Sequence, residues 1–200
     1  MNIARVLTAA AVATAFAVTT AAAQQPQVVP VIGQIQGVDG NLLVVKTQAG
    51  EQKVALTNNV VVWGLAKASV SDIAKGAFIG VGATPQADGT QKAIRVIIFA
   101  EAMRGTGEGH RPWTRPNTTM TNATVDTTVS GVDGQNIMVK YKDGEKKIVI
   151  GPDVVIRQYV AGDKSELKPG AHVGINANKQ PDGSLQTARV NVGRGDVIPD

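Results

Sequence analysis

The chain contains no cysteine. Disulfides, thiolate metal sites, a cysteine nucleophile and a lipidated N-terminal cysteine are therefore excluded. Aromatic residues are few: three Phe, two Tyr and two Trp in 200 residues. Histidine occurs only as His110 and His172. The formal net charge is +4, yet lysine and arginine form no run. A nucleic-acid surface combines clustered basic residues with stacking aromatics, so no nucleic-acid partner is expected. The scattered charge serves solubility. Long apolar runs are also missing, with one exception at the N-terminus.

That exception reads as an address. Met1–Arg5 is short and positively charged, Val6–Val18 is apolar apart from Thr8 and Thr14, and Ala21-Ala22-Ala23 supplies small residues. The three-part pattern predicts a secretory signal peptide over residues 1–23, cut before Gln24. Its apolar run is shorter than the roughly 20 residues of a helical membrane span. The expected mature chain is soluble, periplasmic or secreted, with no transmembrane segment. At 177 residues (200 minus 23) it is long enough for one domain or two small ones.

The chain repeats itself. Residues 37–98 written above 131–192, an offset of 94 without gaps, give 21 identities in 62 positions. GVDG (37–40) falls on GVDG (131–134), Gly50-Glu51 on Gly144-Glu145, Gly76-Ala77 on Gly170-Ala171 and Arg95-Val96 on Arg189-Val190. Two copies of one fold are expected.

Each copy reads as β. In the first, strands are predicted over 34–38, 41–47, 53–56, 60–63, 77–83 and 92–99, punctuated by Asp-Gly and Ala-Gly turns. Ala77, Ile79, Val81 and Ala83 share one face, and Ile94, Val96 and Ile98 alternate. A single helical turn is expected over 68–73, capped by Ser69 or Ser71. Six short strands in about 70 residues predict a small closed barrel. The expected fold is all-β: two tandem, homologous, OB-like barrels of about six strands each, at 24–99 and 124–193. A sandwich is the alternative. Residues 194–200 form a tail.

Between the copies lies an ordered insert, residues 100–123. Connections are usually about 4–6 residues long, so one of this length asks for a function or an anchor. Arg104, Glu108, His110, Arg111, Trp113 and Arg115 make it the candidate ligand or partner surface. Trp113 stacks on a guanidinium or a ligand in this reading, and the arginines receive an anionic group. The bland reading is that the same residues pin the insert in place. A second candidate is a copper or zinc site from Met103, Glu108, His110 and Met120, because exported proteins without cysteine bind these metals through His, Met and carboxylate. No H-x-H or M-x-x-M spacing supports it.

GTGEGH (105–110) is not a phosphate loop: prolines rather than a helix follow it. Asp39, Asp88, Asp133 and Asp182 sit in Asp-Gly turns, which explains them. No Gly-x-Ser-x-Gly elbow occurs. No catalytic residue is assigned, no enzyme activity is expected and no cofactor is required.

The signal peptide, the repeated GVDG strand pattern, the insert AEAMRGTGEGHRPW (100–113) and TMTNATV (119–125) resemble a family of small exported proteobacterial proteins. Its members carry a β-barrel domain of unknown function related to OB-like folds. They are often automatically named "metal ABC transporter permease". The resemblance implies a periplasmic β-barrel protein and transfers no catalytic residues. A permease needs several membrane-spanning helices, which this sequence lacks. The resulting expectation is a non-catalytic binding or scaffolding protein that contacts another envelope protein or a small ligand through the insert. A metal-binding accessory protein is the alternative.

Overall fold

The computed structural model describes residues 27–131 and 134–199. The expected signal peptide lies outside these residues. Twelve strands follow in order: β1 (Val28–Asp39), β2 (Leu42–Thr47), β3 (Gly50–Ala68), β4 (Phe78–Pro85), β5 (Gln91–Ile98), β6 (Gly109–Pro112), β7 (Thr119–Gly131), β8 (Gly134–Tyr141), β9 (Gly144–Ile150), β10 (Val155–Ala161), β11 (His172–Lys179) and β12 (Leu185–Gly193). Among the described residues there is no α-helix, only 3-10 turns at Val70–Asp72, Glu101–Met103 and Lys164–Glu166. The first of these is the expected single turn, with Ser69 as its N-cap. No helix among the described residues is long and apolar enough to cross a membrane.

Five strands close a barrel. β1 pairs with β2, β2 with β3, β3 with β12, β12 with β11, and β11 returns to β1. Inside it, Val31, Ile35, Leu43, Val45 and Val54 pack against Val173, Ile175 and Val190, and Leu167 joins the same cluster. Burying each such side chain contributes roughly 1.5–3 kcal/mol. The other strands enclose a second apolar cluster, which includes Ile79, Val81, Val96, Val125, Ile137 and Ile148, together with Ile73. There β5 pairs with β4, β4 with β7, β7 with β8 and β8 with β9. β9 comes back to β5 through two parallel pairs, Gln91 with Ile148 and Lys92 with Val149. β10 lies between β3 and β5.

The consecutive division at 24–99 and 124–193 does not follow the packing. β4 and β5 belong to the first half of the chain, yet pack with β7, β8 and β9 of the second. β11 and β12 belong to the second half, yet complete the barrel of β1, β2 and β3. The cause is visible in β3. The two strands predicted at 53–56 and 60–63 are one strand of 19 residues. It carries the chain out of the closed barrel before β4 begins. Alternating apolar residues bury one face equally well in either cluster, so local pattern does not choose between them.

Two further departures are local. Ile94 does not share a face with Val96: Gly82 pairs with Arg95 and Ala83 with Ala93, so Ile94 is the extra residue of a β-bulge and turns outward. The repeat also has two offsets. From β2 and β8 onward counterparts are 94 apart, since Leu43 pairs with Val54 and Ile137 with Ile148. In β1 and β7 they are 90 apart, since Gln34 pairs with Lys46 and Thr124 with Lys140. The β7–β8 pairing continues to Gly131 and Gly134, two residues on each strand beyond the equivalent end of β1 and β2. In β1 the structural counterpart of Gly37 is therefore Thr127 and not Gly131, its counterpart in sequence.

Candidate functional site: the central insert on its sheet

The insert is folded onto the sheet that begins with β4. Its last residues, 119–123, are the first residues of β7. Before them, β6 pairs antiparallel with β7: Gly109 with Asn122, His110 with Thr121, Arg111 with Met120 and Pro112 with Thr119. Gly105 and Gly107 have φ of 81° and 56°, which a side chain would strain. The hairpin tip is closed by Trp113 N–H donating to Thr118 O (2.9 Å) and by Thr118 Oγ1 donating to Arg115 O (2.6 Å).

Register assigns the side chains to faces, because paired residues share a face and neighbours alternate. Thr121, Ala123 and Val125 are buried, with Ala123 and Val125 in the second cluster. Met120 and its partner Arg111 therefore lie on the outer face. Met120 also pairs with Gly82, and Gly82 with Arg95. Arg95, Gly82, Met120 and Arg111 thus form one row across β5, β4, β7 and β6. The six-membered ring of Trp113 packs against Gly82, where a Cβ would come within 2.6 Å of its Cζ3. The Arg95 guanidinium is 4.9 Å from the Trp113 ring centroid and that of Arg115 is 5.4 Å away. The indole is held between two cations, each attracted to its π-system.

Arg104 is placed elsewhere. It donates to both carboxylate oxygens of Glu101 (2.6 and 2.7 Å) and to Gly76 O (2.9 Å), and lies 6.0 Å from the Phe78 ring centroid. Arg111 donates to Gly107 O (2.8 Å). Among the described residues Arg104, Lys140 and Arg194 are in ion pairs, and Arg111 and Arg115 are in none. Two expectations are thus separated. Arg104 pins the insert; Arg111, Trp113 and Arg115 share the exposed surface, joined by Arg95. Sequence reasoning passed over Arg95 because its signal lay in another strand: parity with Gly82 puts it beside Trp113.

The four expected metal donors are not brought together. His110 and Met120 project from opposite faces of the β6–β7 pair, since each is paired with the neighbour of the other. His110 Nδ1 lies 2.8 Å from Thr121 Oγ1, and its ring stacks on Tyr141 at 6.5 Å. Burial, with Lys146 nearby, holds its pKa below the ordinary histidine value. Met103 is buried, with its sulfur 4.0 Å from Arg189 Nη2. Glu108 Oε1 accepts from Lys142 N–H (3.1 Å). His172 stands on β11, paired with Gln34 in the closed barrel. Among the described residues no three of His, Cys, Asp and Glu form a metal-sized group.

A second constellation was invisible in the sequence. Phe78 and Phe99 pack at 5.4 Å, Phe99 and Tyr159 stack at 5.8 Å, and Arg189 lies 5.1 Å from Tyr159. With Arg104 at one end and the Met103–Arg189 contact at the other, it ties the insert to β10 and β12. No family model, curated protein or solved structure matches the chain.

Proposed function

We propose that this protein is a non-catalytic binding protein of the cell envelope that receives an acidic segment of a partner protein on Arg95, Arg111, Trp113 and Arg115. The observation that carries the reading is the Trp113 indole held between Arg95 and Arg115 at the tip of an ordered hairpin. Arg and Trp are the side chains that dominate binding energy at protein interfaces. A surface already ordered by Gly82 and by β6–β7 pairing loses little entropy on association. The Arg111 and Arg115 guanidiniums, in no ion pair among the described residues, favour carboxylate partners. The signal-peptide pattern at the N-terminus and the resemblance to exported β-barrel proteins support a partner in the periplasm. The finer architecture we infer is a pair of small OB-like barrels that exchange strands, with the insert as the docking element.

The test is titration of the Trp63→Phe protein with poly-L-glutamate, followed by Trp113 fluorescence. Binding is expected at low salt and is expected to weaken as salt screens the charges. Arg111→Ala with Arg115→Ala should weaken it roughly tenfold or more. An emission indifferent to poly-L-glutamate, or binding unchanged by the double substitution, overturns the proposal.

A further inference from the structure

β1 and β7 are counterparts, yet only β7 is covered at its N-terminal end. With the offset of 90, Val28–Ile32 correspond to Thr118–Asn122. On β7 this stretch is paired on one side by β4 and on the other by β6. On β1 the same stretch is paired by β11, but β2 joins only from Gln34 onward. Among the described residues no strand takes the place of β6. A groove of about 450 Å³ lies there instead, lined by Val29, Pro30, Ile32, Thr47, Ala49 and Gln52 among others.

The backbone directions on β1 are determined by its neighbours. Ile35 N–H donates to Ala171 O, and Gln27 O accepts from Lys179 N–H, so residues of odd number turn their peptide groups toward β11. Val28, Pro30 and Ile32 therefore turn theirs into the groove. The edge presents the N–H groups of Val28 and Ile32 and three carbonyls. On β7 the corresponding carbonyl of Thr118 accepts from Trp113 N–H (2.9 Å). Pro30 has no N–H to offer, as befits a proline on an open edge. It stands where β7 has Met120, so a strand docked here makes one bond fewer than β6 does.

We propose that the Val28–Ile32 edge takes an extended, uncharged, apolar-rich segment of a partner polypeptide as an added antiparallel strand, in the manner in which β7 takes β6. Unpaired edge groups are a template for such addition. The chemistry of the occupant follows from the lining. None of its side chains is charged, and Val28 and Ile32 are 54% and 41% exposed beside it. A charged strand would lose hydration there without gaining a partner. The site is separate from the arginine surface and its failure leaves that reading untouched.

The experiment is amide hydrogen exchange on residues 24–200, with the peptide acetyl-Val-Thr-Val-Thr-Val-amide as probe and acetyl-Glu-Thr-Glu-Thr-Glu-amide as control. The apolar peptide should slow exchange at Val28 and Ile32 by about tenfold at saturation, with the Val31 amide, bonded toward β11, unchanged. Ile32→Pro removes the remaining central donor and should abolish the effect. Ile32→Lys leaves the backbone intact and should weaken it through charge alone. Exchange at Val28 and Ile32 that ignores the apolar peptide overturns the proposal, as does equal protection by the acidic control. Protection that appears without peptide and grows with protein concentration also overturns it, in favour of pairing between two copies of this edge.

Discussion

Leu65 on β3 stands opposite Tyr159 on β10 in an antiparallel pair, and each is the other's counterpart in the repeat, 94 residues away. A residue paired with its own counterpart marks an approximate two-fold axis. The neighbouring pairings obey it. Arg189 pairs with Val61 on one side, and Arg95 with Val155 on the other. Leu185 with Val54 is matched by Gln91 with Ile148. The halves exchange strands about this axis rather than fold one after the other.

Cutting the chain tests the exchange directly. A protease site replacing residues 114–117, in the exposed hairpin tip, severs the halves without touching either core. The halves are expected to migrate together in native gel filtration and to part only in denaturant. Halves that separate under native conditions would contradict the strand exchange.

Gly82 supports Trp113 by lacking a side chain. Gly82→Ala is expected to push the indole off the sheet, at a cost of about 1–3 kcal/mol typical of overpacking. Read in a Trp63→Phe background, Trp113 emission should shift to the red. Gly37, which a Cβ would leave free of contacts, is the control: Gly37→Ala should change stability by about 0.5 kcal/mol or less.

His110 gives the protein a pH dependence of known sign. Its folded pKa lies below the ordinary value of about 6.5, because burial disfavours the cation and Lys146 adds repulsion. The unfolded chain then binds more protons than the folded one. Stability is fully present above the unfolded value and is lost as pH falls through the window below it. His110→Gln should flatten the stability profile between about pH 6.5 and the folded value, measured by urea unfolding at a series of pH values.

Glu166 behaves in the same direction for a different reason. Its carboxylate accepts from Arg194 Nη2 (2.9 Å) and Nε (3.1 Å), which holds its pKa below the usual glutamate range. Arg194 also donates to Ala161 O (2.8 Å), beside the β3–β10 pairing. Stability from this pair is present above the unfolded carboxylate value and disappears as pH falls through the folded one. Glu166→Gln should remove that part of the acid limb, and Arg194→Ala should remove it equally.

Much of the local structure was legible. The turn at Ser69, the strands around LLVVK and the alternation of Ile79, Val81 and Ala83 all follow from residue type and period. Ile94 was not legible, because a bulge changes parity without changing composition. The metal set of Met103, Glu108, His110 and Met120 was close in sequence but not in space. Pairing His110 with Thr121 and Arg111 with Met120 sends two of its members to opposite faces. Arg95 was far in sequence and close in space, brought to Trp113 by the pairing of Gly82.

The sequence by itself determined that the protein is built of β-strands, that its two halves are related, and that no cysteine chemistry operates in it. These are properties of composition and of period-two alternation, which each segment carries alone. Only the tertiary structure decided which strand pairs with which. A strand with one apolar face satisfies that face against any complementary sheet, so β4 and β5 carry no local mark of the cluster they join. The choice comes from the length and path of β3 and from closing the sheet without a free edge. β6 covers the N-terminal end of β7, and no described strand does the same for Val28–Ile32.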